Sequence, residues 1–198
     1  ASISNIELTT PSPSAVFNPA NAQFKINIVE PVRTILDEQS TTAPSAEDNA
    51  KVTVKRTIAA NTWSTICLPF AMTAAQLKAA FGDDVELGDF NGYEVKDGGS
   101  TIDVKFTAAD AIEANHPYII KVGTAVSSFD VDGVNIAPEA NPANSVGDFF
   151  TTKMMLGTYK AETTVPNNCL FLNDNKFWYS KGNTVSKAYR AYFIFSDR

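Results

Sequence analysis

The chain contains one histidine, His116, in the run "NHPY". Nucleophilic catalysis sets a Ser or Cys beside a base, and His is the usual base. A catalytic arrangement would join His116 to Cys67 and to an acid such as Asp110 or Glu113. The competing reading makes His116 a turn residue that hydrogen-bonds locally, and no nucleophile motif accompanies it. Cys67 lies in the apolar run "ICLPF", where a thiol behaves as a small hydrophobe and is inert when buried. Paired carboxylates occur at Asp37-Glu38, Glu47-Asp48 and Asp83-Asp84. Glycosidase chemistry needs two carboxyls about 5–10 Å apart in a cleft, whereas neighbours on a strand point to opposite faces and those in loops are solvated. The segment "DVDGVN" (Asp130 to Asn135) has Asp at alternate positions before Gly, like the centre of a calcium loop. It lacks the further oxygen ligands and the distal Glu such a loop requires, so a turn at Asp132-Gly133 is the better reading. The expectation is a chain with no catalytic residues, no metal site and no cofactor.

The aromatic residues are the remaining candidates. Trp63, Trp178, Tyr179, Tyr189 and Tyr192 offer flat apolar faces with polar edges, which suit sugar rings. In "KFWYS", Phe177 and Tyr179 share one face of a strand and Trp178 takes the other. If one face is core, the opposite aromatic is exposed. Trp178, Trp63, Tyr179 and Tyr192 are therefore the ligand-binding candidates. Burial of both faces would leave them structural. Cys67 and Cys169 are either a disulfide, worth about 4–5 kcal/mol for so long a loop in the chain-entropy model, or two thiols in core strands.

Strands must position these residues. In "KVTVKRTI", Val52, Val54 and Ile58 share a face, with Arg56 as the exception. Ile102, Val104 and Phe106 alternate in "TIDVKFT", as do Tyr118, Ile120 and Val122 in "PYIIKV". Tyr189, Ala191, Phe193 and Phe195 line one side of the terminal "AYRAYFIF", and its other side looks covered as well. This period of two is the mark of strands. "CLFLNDNKFWYS" reads as a hairpin turning at Asn173-Asp174-Asn175, residues that tolerate left-handed backbone, and "DGGS" (Asp97 to Ser100) as a hairpin tip. "TAADAIEA" is a candidate second helical turn.

One helix is clear. Thr73 and Gln76 have capping-box spacing, Leu77, Ala80 and Phe81 form an apolar stripe, and Gly82 is placed to end the helix. The stretch from Trp63 to Phe70 reads as a central strand ended by Pro69. It lacks the Gly-x-Ser-x-Gly turn of a nucleophile elbow, so this corner belongs to the scaffold. The expected fold is mainly β: a β-sandwich, jelly-roll-like, with one short capped helix at one end. Residues 1–36 form a strand-containing appendage, with a half-buried strand at "QFKINIV" and a loop punctuated by Pro11, Pro13 and Pro19. Residues 37–50, nearly free of large apolar side chains, read as a polar acidic linker, and 51–198 as the sandwich module.

The 198 residues carry 16 Lys+Arg against 22 Asp+Glu, a net charge of −6. That balance argues against nucleic acid, whose phosphates need a basic patch, and against an anionic membrane surface. No apolar run approaches the roughly 18 residues that span a bilayer. The chain opens at Ala1 without a signal peptide, and a removed leader would account for this.

The run "VTVKRTIAANTWSTICLPFAMTAAQLKAAFGDDVELGDFNGYE", followed by "IEANHPYIIKV", "FDVDGVNI", "MLGTY", "LFLNDNKFWY" and "AYRAYFIF", resembles a module of exported Bacteroidetes surface proteins. The resemblance spans roughly Asp37 to Arg198. It implies export from a gut bacterium, to the cell surface, the periplasm-facing side or the medium, and attachment to larger surface proteins. It implies no reaction. Adhesion or ligand binding is the expected role, with a glycan as the leading ligand and a surface protein as the other partner. The alternatives are a spacer or assembly module that pairs strands through an exposed "QFKINIV" edge, and a glycoside-hydrolase-like enzyme.

Overall fold

The structure is a computed structural model, and it describes residues 5–9, 23–27, 32–99, 101–147 and 151–197. The chain divides into two compact units, Ala1–Arg33 and Thr34–Arg198. In the first unit, β1 (Asn5–Thr9) and β2 (Gln23–Asn27) pair antiparallel, with Ile6 opposite Ile26 and Leu8 opposite Phe24. The burial expected of "QFKINIV" and the proline loop lie outside the described residues.

The second unit is mainly β and sandwich-like, with one short helix, as the alternation predicts. One sheet holds three strands: β3 (Thr34–Asp37), β4 (Glu47–Lys55) and β9 (Phe129–Ile136), in the order β3-β4-β9. A four-stranded sheet is built from β5 (Ser64–Ile66), β6 (Glu86–Lys96), β7 (Thr101–Ala109) and β8 (Tyr118–Lys121), in the order β5-β8-β6-β7. The largest sheet combines β10 (Ala143–Val146), β11 (Thr151–Thr158), β13 (Leu170–Asn173), β14 (Lys176–Tyr179) and β16 (Arg190–Asp197), in the order β10-β11-β16-β13-β14. A ribbon joins β12 (Thr163–Val165) to β15 (Thr184–Ser186).

Two cores follow from the alternation. Val52 and Val54 of β4, Phe129 and Val131 of β9, and Tyr118 and Ile120 of β8 belong to the larger one. Ile119, between those two β8 residues, belongs to the second core with Phe90, Met155, Leu170 and Phe193. Strand β8 is thus buried on both faces, which explains its unbroken apolar sequence. The helix α1 (Ala74–Phe81) closes the larger core with Leu77 and Phe81, and the Phe81 ring lies 4.6 Å from that of Phe129. Thr73 caps it reciprocally with Gln76, and Gly82 ends it at φ 95°. The hydroxyl of Thr65 bridges two sheets, donating to Ala191 O at 3.1 Å and accepting from Ala191 N at 2.9 Å.

Three expectations are corrected. Residues 37–50 are not a linker, because Asp37 ends β3, which pairs in parallel with the end of β4, the start of β4 pairs antiparallel with β9, and Glu38 and Ala50 are buried. The segment looked solvated because its buried acid is neutralised by residues far along the chain. "TAADAIEA" holds no helical turn: it is the end of β7 and a bend that leads to an isolated bridge between Met72 and Ile112. Asp132-Gly133 is not a strand-ending turn but lies inside β9, where the β4–β9 register shifts next to Asn49 at φ 50° and Gly133 at φ 70°. Such a bulge needs left-handed residues. Of the two readings left open for the cysteines, the structure has the second: Cys67 and Cys169 are free, buried thiols. The Cys67 sulfur faces the Tyr159 hydroxyl at 3.7 Å and fills the space left by Gly157, where an added Cβ would sit 2.8 Å from the Cys67 Cβ.

Candidate functional site

Hairpin β13–β14 turns through Asp174 and Asn175, at φ 50° and 57°. Two left-handed residues make the tight turn whose twist matches the strands. The Asn175 side chain then accepts a hydrogen bond from Trp63 N at 2.7 Å, tying the hairpin to the residue before β5. Register places Leu172 opposite Phe177 on one face and Phe171 opposite Trp178 on the other. Phe177 meets Phe193 edge-on at 5.2 Å.

Between this hairpin and the four-stranded sheet lies a cleft of about 650 Å³. Its apolar lining includes Trp63, Phe106, Ile119, Leu172 and Phe177, and Glu86 and Asn175 add polar groups. Lys121 Nζ sits 5.1 Å from the centre of the Trp63 ring and pairs with Glu86 Oε1 at 2.5 Å. The cleft therefore joins aromatic surface to an ion pair at its wall.

The four aromatic candidates are not gathered into one site. Trp63 lines this cleft together with Phe177, which sequence reasoning had treated only as a face-mate of Tyr179. Trp178 and Tyr179 are 49% and 66% exposed on β14, the last strand of its sheet. Neither face of β14 is core: Phe177, expected to be buried or to bury its opposite, is itself 39% exposed. An outermost strand lacks a neighbour on one side, so period-two alternation no longer predicts burial there. Tyr192 lines a separate cleft of about 410 Å³, and its phenol is pushed up by burial. Tyr189 is wholly buried.

His116 and Cys67 do not combine. His116 Nε2 lies 2.7 Å from Asp89 Oδ1, which also accepts from Asn144 Nδ2 at 2.7 Å. His116 N makes the expected local bond, donating to Glu113 O at 3.4 Å, and its side chain adds a bond across 27 positions. Cys67 is enclosed in the larger core, and burial pushes its thiol up to about 12. A thiol so held is not a nucleophile at neutral pH. Among the described residues no group of three or more His, Cys, Asp or Glu side chains could hold a metal ion. Asp130 instead accepts from the Thr53 hydroxyl at 2.6 Å.

The sequence concealed a buried ion cluster. Glu38, 4% exposed, accepts from Lys187 Nζ at 2.9 Å and from Arg190 Nη2 at 2.9 Å, and Arg56 Nη1 lies 3.6 Å from it. Arg56 is 0% exposed. Its remaining N–H groups donate to Thr65 O at 2.7 Å, to the Ser64 hydroxyl, to Thr57 O and to Tyr189 O. Burial alone would raise the Glu38 pKa, but the Lys187 bond and the charges of Arg190 and Arg56 hold it below the usual value. The one visible signal was Arg56 interrupting the apolar alternation of β4 and the residues after it.

No match to the chain was found among family models, curated proteins or solved structures. Among the described residues no helix is long and apolar enough to cross a membrane. The site is an apolar, aromatic-walled cleft on a mainly β scaffold.

Proposed function

We propose that this chain is a non-catalytic binding module, displayed outside the cell, that holds a saccharide in the 650 Å³ cleft. The observation that carries the reading is the cleft's lining, with Trp63 and Phe177 supplying flat apolar surface and Glu86 and Asn175 supplying hydrogen-bonding groups. A pyranose presents the matching pattern of C–H faces and hydroxyl edges. The volume falls in the usual range for small-ligand sites. Display outside the cell rests on the series of motifs from "CLPF" to "AYFIF" that resembles exported surface modules.

A second reading has its own support. Strand β14 ends its sheet, and its exposed aromatics flank an edge that has no neighbouring strand among the described residues. A strand from another protein can add to such an edge, which is the assembly role.

Thermal unfolding against a panel of neutral oligosaccharides tests the first reading. A ligand at 100 times its Kd adds about 2.7 kcal/mol, which for a chain of this size raises Tm by several degrees. The rise should vanish in Trp63→Ala, which keeps the backbone N–H that Asn175 accepts. An equal rise in the variant, or none with any sugar, would shift the weight to assembly through β14.

A further inference from the structure

The second face of the β13–β14 hairpin borders a smaller cleft, of about 300 Å³, and this one is cationic. Lys187 and Arg190 line it, together with Thr184, Ser186 and Asn173. Among the described residues no carboxylate lines it, although the whole chain is acidic at −6. Among the described residues the two cations share one acid, Glu38, which is buried and not among the lining residues.

Glu38 cannot neutralise its surroundings. Lys187 occupies Oε1, while Arg190 and Arg56 both approach Oε2. Three cations therefore surround one carboxylate. The donors are in surplus too: Arg190 Nε is buried and has no hydrogen-bond partner. Arg56 is sealed from solvent, but Lys187 and Arg190 keep 44% and 27% of their side-chain surface exposed. The excess positive charge is thus accessible only on the cleft side chains. Phe171 lines the same cleft, and Trp178 is its cross-strand partner, half-exposed and fixed by its indole N–H donating to Asn173 O at 3.2 Å.

We propose that this cleft binds a carboxylate-bearing sugar, a hexuronate unit, with its carboxylate on Lys187 and Arg190 and its hydroxyls on Thr184, Ser186 and Asn173. The volume is at the lower end of small-ligand sites, which favours a single sugar unit. Arg and Lys are the residues that charge-assisted recognition of a carboxylate employs. The Trp178 face, next to Phe171, is placed to flank the ring. This site is separate from the Trp63 cleft. It is read with an acidic sugar and the Lys187 variant, and the Trp63 cleft with neutral sugars and Trp63→Ala, so either can fail alone.

The test is calorimetric titration of the full chain with sodium glucuronate, with glucose and with N-acetylglutamate, all at one ionic strength set with sodium chloride. Glucuronate should bind saturably, and both other probes at least tenfold more weakly. Lys187→Met should weaken glucuronate at least tenfold, while Lys181→Met, altering an exposed lysine outside the cleft, should not. Because Lys187 also supports Glu38, Thr184→Val and Ser186→Ala give a second measurement that leaves the ion cluster whole, and each should weaken glucuronate severalfold. The proposal is overturned if glucuronate shows no saturable binding above chloride, or if the cleft variants bind like the parent. N-acetylglutamate binding as tightly as glucuronate would overturn the assignment to a sugar and point to an acidic peptide side chain.

Discussion

At Arg56 a guanidinium sits beyond the reach of water, with backbone carbonyls, a hydroxyl and Glu38 around it. At β14 the arrangement is inverted, with aromatic side chains 39–66% exposed on a strand whose outer side has no partner strand among the described residues. One region encloses the Arg56 charge and surrounds it with hydrogen-bond acceptors; the other leaves apolar surface open. Burying an ion costs several kcal/mol, which only close partners offset. An exposed aromatic keeps a hydration cost that a ligand or partner can remove. Stability should therefore depend on the first region and binding on the second.

The sharpest way to break that contrast is Arg56→Met. It would leave Glu38 to Lys187 and Arg190, but it removes the side-chain donor to Thr65 O and one of the two donors to Tyr189 O. Leaving a buried acceptor without its donor costs about 1–3 kcal/mol, a sizeable part of the ~5–15 kcal/mol that holds a domain together. Urea unfolding should show the loss as a lower midpoint. A change under about 1 kcal/mol, within the ordinary range for surface positions, would show that the cluster is not the anchor its burial suggests.

Acid should act on the same region. The Lys187 bond and the charges of Arg190 and Arg56 outweigh burial, so the folded-state pKa of Glu38 lies below its unfolded value. Its contribution is then complete above the unfolded pKa of about 4.3 and is lost as pH falls through the folded value. Stability measured from pH 6 down to pH 2 should decline more in the parent than in Glu38→Gln, which begins weaker and has no charge to lose there. Parallel profiles would assign acid sensitivity to other carboxylates.

These two regions also mark where sequence patterns lose their power. Wherever a strand has neighbours on both sides and a covered face, alternation placed the residues well: Val52 and Val54, Tyr118 and Ile120, Ala191 and Phe193 are all core. The capped helix was legible because Thr73, Gln76 and Gly82 act within one turn of it. Glu38 was not, since its partners are 149 and 152 positions away and nothing local distinguishes a paired buried acid from a solvated one. Phe177 was passed over for a different reason. Trp178 is the more conspicuous side chain, but strand register puts it on the face away from the larger cleft. Gly133 looked like a turn because a bulge inside a strand uses the same left-handed residues as a chain reversal.

The smallest expected effect is at Trp178. Its ring is half-exposed, and its indole N–H donates locally to Asn173 O. Trp178→Ser should change unfolding free energy by no more than about 0.5 kcal/mol, the usual range for surface substitutions, because the turn at Asp174 and Asn175 and the bond from Trp63 N to Asn175 hold the hairpin without it. A loss above about 2 kcal/mol in urea would mean that Trp178 is part of the folding core and that the contrast between the two regions is false. A neutral result joined to weakened glucuronate binding would place Trp178 where the open edge implies, outside the scaffold and inside a binding surface. The same substitution then separates a residue kept for stability from one kept for recognition, which burial alone cannot do for an aromatic on an outermost strand.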